Sequence, residues 1–66
     1  MILSINGVTE DHPDGVTLAE LVERRMISDR GVAAAVDGAV APRSTWPTVV
    51  LRAGQSVELL TAVQGG

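Results

Sequence analysis

Residues 16–26 read Val-Thr-Leu-Ala-Glu-Leu-Val-Glu-Arg-Arg-Met, and this stretch decides the fold. Thr17 is a good helix N-cap, because its hydroxyl accepts a backbone N–H that the first turn leaves unpaired. Glu20, three residues on, completes a capping box. Val16 before the cap and Leu21 at the fourth helical position form a hydrophobic staple. Leu18, Leu21, Val22 and Met26 recur on one face at helical spacing, and Glu20 and Arg24 pair on the other. The helix is expected to end near Ile27 or Ser28, before Gly31. At about ten residues it is too short to persist alone, so its apolar stripe must be buried against a sheet.

The strands of that sheet are found on both sides of it. Upstream, Met1, Leu3 and Ile5 alternate with Ile2, Ser4 and Asn6, the period-two pattern of a half-buried strand. Asn6-Gly7 favours a type I′ hairpin turn, and Val8 to His12 forms a polar return strand at the edge. Pro13-Asp14-Gly15 then breaks it. Downstream, Val32 to Val36 is apolar and leads into an Asp37-Gly38 turn. Ala39 to Ala41 is a short strand before Pro42, Ser44 to Pro47 is turn-like and carries Trp46, and Val49 to Leu51 is a brief strand. Gly54 turns the chain into a last strand, Ser56 to Ala62. There Val57 and Leu59 face the core, with Glu58 and Leu60 on the opposite face.

Hairpin, helix, then strands ending in a long one is an α+β order. One helix packed across one face of a mixed four- to five-stranded sheet buries this apolar set most economically. A right-handed crossover lays the last strand parallel to the first, in the middle of the sheet. This is the ubiquitin-like β-grasp arrangement, with residues 1–61 as the domain and 62–66 as a flexible C-terminal tail.

Composition narrows the chemistry. A chain of 66 residues buries only about 60% of its unfolded surface, which leaves little room for a deep cleft. The absence of cysteine, with His12 as the single histidine, excludes a thiolate metal site and a cysteine nucleophile and disfavours a histidine triad. No catalytic residue, metal or bound cofactor is expected in cis. A net charge of −3, scattered arginines and a lone aromatic argue against nucleic acid. No stretch approaches the roughly 20 apolar residues of a membrane span, and no signal peptide is visible, so a cytoplasmic location is expected.

The last residues, Val63-Gln64-Gly65-Gly66, follow the apolar run of the final strand. Glycine has no Cβ, so a Gly-Gly end passes through a tunnel that any side chain would block; taken alone, the dipeptide reads first as a frayed terminus. The combination Val40-Ala41-Pro42-Arg43, Trp46 three positions on, a turn at Gly54, an apolar strand and terminal Gly65-Gly66 resembles the bacterial sulfur carrier of thiamine thiazole biosynthesis, the ThiS family. The resemblance runs from Met1 to Gly66. Ala41 stands where valine is common before the Pro-Arg pair, and Gln55 replaces the usual turn aspartate.

The resemblance implies a protein used as a reagent. An E1-like adenylyltransferase of the ThiF type would activate the Gly66 carboxylate with ATP and magnesium. A persulfide sulfur donor would then displace AMP to leave a thiocarboxylate, and thiazole synthase of the ThiG type would receive the sulfur. Gly66 is the residue modified and Gly65 gives it passage. Five residues from Ala62 to Gly66 reach at most about 16–18 Å when extended. The absence of lysine fits a GC-rich coding sequence, and also removes internal amines that would attack an activated acyl group.

Leu60, on the uncovered sheet face near the tail, is the leading candidate for partner docking, with Arg43 and Val63 as further candidates. Arg43 serves equally well to pair with a partner carboxylate or to cap local carbonyls. Trp46 is read as packing over the end of the sheet, His12 as exposed, and Glu10, Asp11 and Asp14 as a solvated edge. The alternatives are a carrier of another pathway, of the molybdopterin synthase small-subunit type, a ubiquitin-like protein modifier, or a non-covalent binding module with inert glycines.

Overall fold

The capping box closes as the sequence dictates. The Glu20 N–H donates to Thr17 Oγ1 at 3.2 Å, and Thr17 N–H donates to Glu20 Oε1 at 2.9 Å. Helix α1, Leu18–Arg25, follows with Leu18, Leu21 and Val22 buried. Val16 and Leu21, the two ends of the staple, are both in the core. The N–H bond from Thr17, then its hydroxyl, holds the Glu20 carboxyl below its ordinary range. The computed structural model describes residues 1–25 and 30–61. The expected end of the helix, the place of Met26 on its face and Ala62 in the last strand lie outside the described residues.

The strands are β1 (Ile2–Ile5), β2 (Val8–Asp11), β3 (Val32–Val36), β4 (Ala39–Ala41) and β5 (Ser56–Thr61). They form one five-stranded sheet in the order β2-β1-β5-β3-β4. β5 pairs parallel to β1, with Ser4 beside Ser56 and Ile5 beside Val57. On its other side it runs antiparallel to β3, with Ala34 opposite Leu59. The mixed β-grasp sheet expected from element order is therefore present, with the last strand at its centre. Both hairpins turn through left-handed residues, Asn6 (φ 50°) and Gly7 (φ 83°) in one, Asp37 (φ 50°) and Gly38 (φ 84°) in the other. This matches the primed turn whose twist suits a tight hairpin.

The core is built on one face of the sheet. Leu3 and Ile5 of β1, Ala34 of β3, and Val57 and Leu59 of β5 pack with Leu18, Leu21 and Val22 of α1. Val16, Trp46 and Leu51 complete the cluster. Trp46 sits in a 3₁₀ helix, Arg43–Thr48, and is only 3% exposed. Its indole N–H donates to the Ala41 carbonyl at 2.8 Å, which satisfies the one polar atom that burial would otherwise penalise.

Two segments differ from the sequence reading. Val49 to Leu51 is no strand; it makes a single antiparallel bridge, Val50 to Thr17. The Leu18 N–H donates to Val49 O and the Leu51 N–H to Val16 O, both at 2.9 Å. Its partner segment turns into α1 directly after Thr17, so the ladder has nowhere to continue. The return strand β2 ends at Asp11, one residue early, although the His12 N–H still reaches Met1 O at 2.8 Å.

Replacing Thr17 with alanine is expected to cost about 1 kcal/mol in urea unfolding. Leu3→Ala, at a fully buried position, is expected to cost roughly 2–5 kcal/mol. The Glu20 carboxylate stabilises the fold fully above its unfolded pKa, and that contribution is lost as pH falls through the depressed folded value. Glu20→Gln should accordingly flatten the acid limb of the stability profile while leaving its alkaline limb unchanged.

Candidate functional site

The buried residues of β5 alternate with exposed ones, so the sheet face opposite α1 is settled by register. Leu60 stands beside Ala33, Glu58 beside Ala35, and Ala35 beside Val40. Leu60 is 69% exposed and Val40 79% exposed. Ala33 and Ala35, too short to fill the space between them, leave a shallow groove that Val40, Leu60 and Glu58 border. The groove is apolar along its length, with one carboxylate at Glu58. Trp46 packs in the core on the opposite face and does not cover Leu60.

Arg43 is exposed at the start of the 3₁₀ helix, which follows β4, the strand separated from β5 by β3. Val63, Gly65 and Gly66 lie outside the described residues; β5 carries the chain toward them through Thr61. Among the described residues no group of His, Cys, Asp and Glu side chains could hold a metal ion. No helix among them is long and apolar enough to cross a membrane.

Of the residues expected to form a solvated edge, Asp11 and Asp14 are exposed, but Glu10 is half-buried. Glu10 lies beside Leu3 in the ladder, which places it on the helix-covered face. There Arg25 donates to both of its carboxylate oxygens. His12, read as exposed, is largely covered instead, with Nε2 2.9 Å from Glu10 Oε1. The Arg25 bond, then the His12 bond, holds the Glu10 carboxyl below its ordinary value. Asp11 and Asp14 meet the Met1 ammonium at 3.1 and 3.5 Å, and the Asp11 bond raises the pKa of that amine. Period-two alternation from Leu3 was the available signal for Glu10; Arg25, on the helix, completes the pair only in three dimensions.

Sequence reasoning also missed what the two turn residues do beyond turning. Asn6 Oδ1 accepts the Leu59 N–H at 2.8 Å, and its Nδ2 donates to Leu59 O at 3.2 Å. Asp37 Oδ1 accepts the Ser56 N–H at 2.9 Å, and its Oδ2 accepts from Gln55 Nε2 at 3.1 Å. Gln55 meanwhile takes the Arg52 N–H on Oε1 at 2.7 Å. A glutamine in place of the usual aspartate thus still closes the turn, and adds a tie to Asp37.

A family model described as the ThiS family matches residues 3–66. The chain is similar to the crystal structure of a thiamine biosynthesis protein (ThiS) from Geobacter metallireducens, with 25% identity over 100% of both chains and a TM-score of 0.84. It is also similar to the solution structure of a thiamine biosynthesis protein from that organism, at 26% identity and a TM-score of 0.82. That match covers 100% of this chain and 88% of the other. Comparison with curated proteins gave no match. With the β-grasp sheet, the Pro42-Arg43 and Trp46 segment and the Gly65-Gly66 end on one chain, the protein belongs to the ThiS family of ubiquitin-like sulfur carriers.

Proposed function

We propose that this chain is a protein co-substrate that carries sulfur on its last residue for thiamine thiazole synthesis. The observation that carries the reading is the family match running through Gly66, and the exposed Leu60 and Val40 face on β5 and β4 supports it. An E1-like, ThiF-type enzyme with ATP and magnesium adenylates the Gly66 carboxylate. This converts a poor electrophile into an acyl group with AMP as leaving group. The outer sulfur of a persulfide donor attacks that acyl group and expels AMP, forming an acyl disulfide. A thiol reductant then cleaves its S–S bond to leave a thiocarboxylate, which donates its sulfur to a ThiG-type thiazole synthase. Gly65 keeps the approach to each active site narrow. The carrier contributes no catalytic residue of its own and acts in the cytoplasm, where its partner enzymes bind the apolar groove around Leu60.

Intact mass after incubation with the activating enzyme, ATP, magnesium and a sulfur source tests this. Exchange of one oxygen for sulfur at Gly66 is expected; an unchanged mass with an enzyme active on another carrier overturns it. Delivery of that sulfur to a pterin acceptor instead would assign the chain to the molybdopterin type. Attachment to lysines of other proteins would assign it to the modifiers. Gly66→Ala should slow sulfur uptake by about a hundredfold, the scale of a misplaced reacting group, with the unfolding curve unchanged. Leu60→Ala should change stability by less than about 0.5 kcal/mol and raise the KM for activation at least about fivefold.

A further inference from the structure

β1 stops at Ile5 and the chain turns away, yet β5 runs on. The Asn6 N–H donates to Val57 O at 2.9 Å, and Leu59 is the next residue of β5 to face that side. There the Asn6 side chain takes the place of missing backbone, accepting from the Leu59 N–H and donating to the Leu59 carbonyl. The bonds span 53 residues of sequence. The turn itself requires only a residue that tolerates positive φ, and glycine or aspartate would serve. A side-chain amide carries its donor and its acceptor on separate atoms of one short planar group, so it can bond the N–H and the carbonyl of one residue at once, whereas a carboxylate only accepts. Aspartate would accept the N–H but set its second oxygen against the Leu59 carbonyl. At the equivalent place in the other hairpin, Asp37 has an acceptor-only task, so each turn residue matches its work on β5.

We propose that Asn6 is a positioning residue for the reactive end of the carrier. By bonding both polar groups of Leu59 on the side that β1 leaves open, while β3 pairs with β5 as far as Thr61 on the other, it holds the end of β5 next to the docking face at Leu60. This rests on the sulfur-carrier reading above. Leu60 is the neighbour of the clamped residue, so docking surface and strand end share one rigid reference.

Two variants test it: Asn6→Gly, which keeps the turn and removes the amide, and Asn6→Asp, which keeps the turn and the bond to the Leu59 N–H. Amide exchange in the isolated protein should quicken at Leu59 by about tenfold in Asn6→Gly, with Ala34 and Val57 unchanged. In sulfur uptake, at a temperature where each variant is folded, kcat should fall about ten- to a hundredfold while KM stays within about twofold, because the groove that sets KM is untouched. Asn6→Asp should fall between Asn6→Gly and wild type. Wild-type kcat in either folded variant, or quickened exchange spread evenly over the sheet with kcat intact, overturns the proposal. Failure of the wild-type chain to take up sulfur overturns the carrier reading instead, and the Leu59 exchange still decides whether Asn6 holds the strand.

Discussion

The parallel pairing of β5 with β1 is the constraint on which the rest depends. It brings residues 4 and 5 against residues 56 and 57, so nearly the whole chain lies in the loop that this contact closes. A parallel pair cannot be joined by a tight turn, and the intervening chain supplies the crossover helix that also covers the sheet. Loop closure costs entropy that grows only slowly with length. Burial of Val57 and Leu59 between two neighbouring strands and α1 offsets that cost.

Much of this was legible in the sequence because local rules and the global fold agree. Thr17 and Glu20 announce the helix start, Asn6-Gly7 and Asp37-Gly38 announce the hairpins, and alternation in Ser56–Thr61 separates Leu59 from Leu60. What was not legible depends on pairs brought together only by folding. Val49–Leu51 has strand-like residues, but its only available partner turns into a helix after one bridge. Glu10 reads as an edge carboxylate until α1 places Arg25 over it. Asn6 and Asp37 read as turn formers because the turn accounts for them; their bonds to Leu59 and Ser56 need the register of a strand some twenty to fifty residues away.

The two faces of the sheet divide the work. The covered face holds every buried apolar side chain among the described residues and supplies the stability of a small domain. The open face around the groove carries Val40, Leu60, Glu58 and two short alanines, an arrangement that does little for folding and suits contact with another protein. Adjacent residues of β5 point to opposite faces, so Leu59 anchors the domain while Leu60 remains available. The acidic and basic side chains tie the periphery together, β2 to α1 through Glu10 and Arg25, rather than forming a charged site.

Trp46 is the single aromatic residue of the chain, and it is enclosed in the core with its indole N–H bound to Ala41 O. The protein therefore carries one intrinsic fluorophore, located away from the groove. Its emission will follow folding of the domain while staying blind to what occupies the open face. Light from one side chain can thus separate a carrier that has lost its structure from one that has only lost its partner.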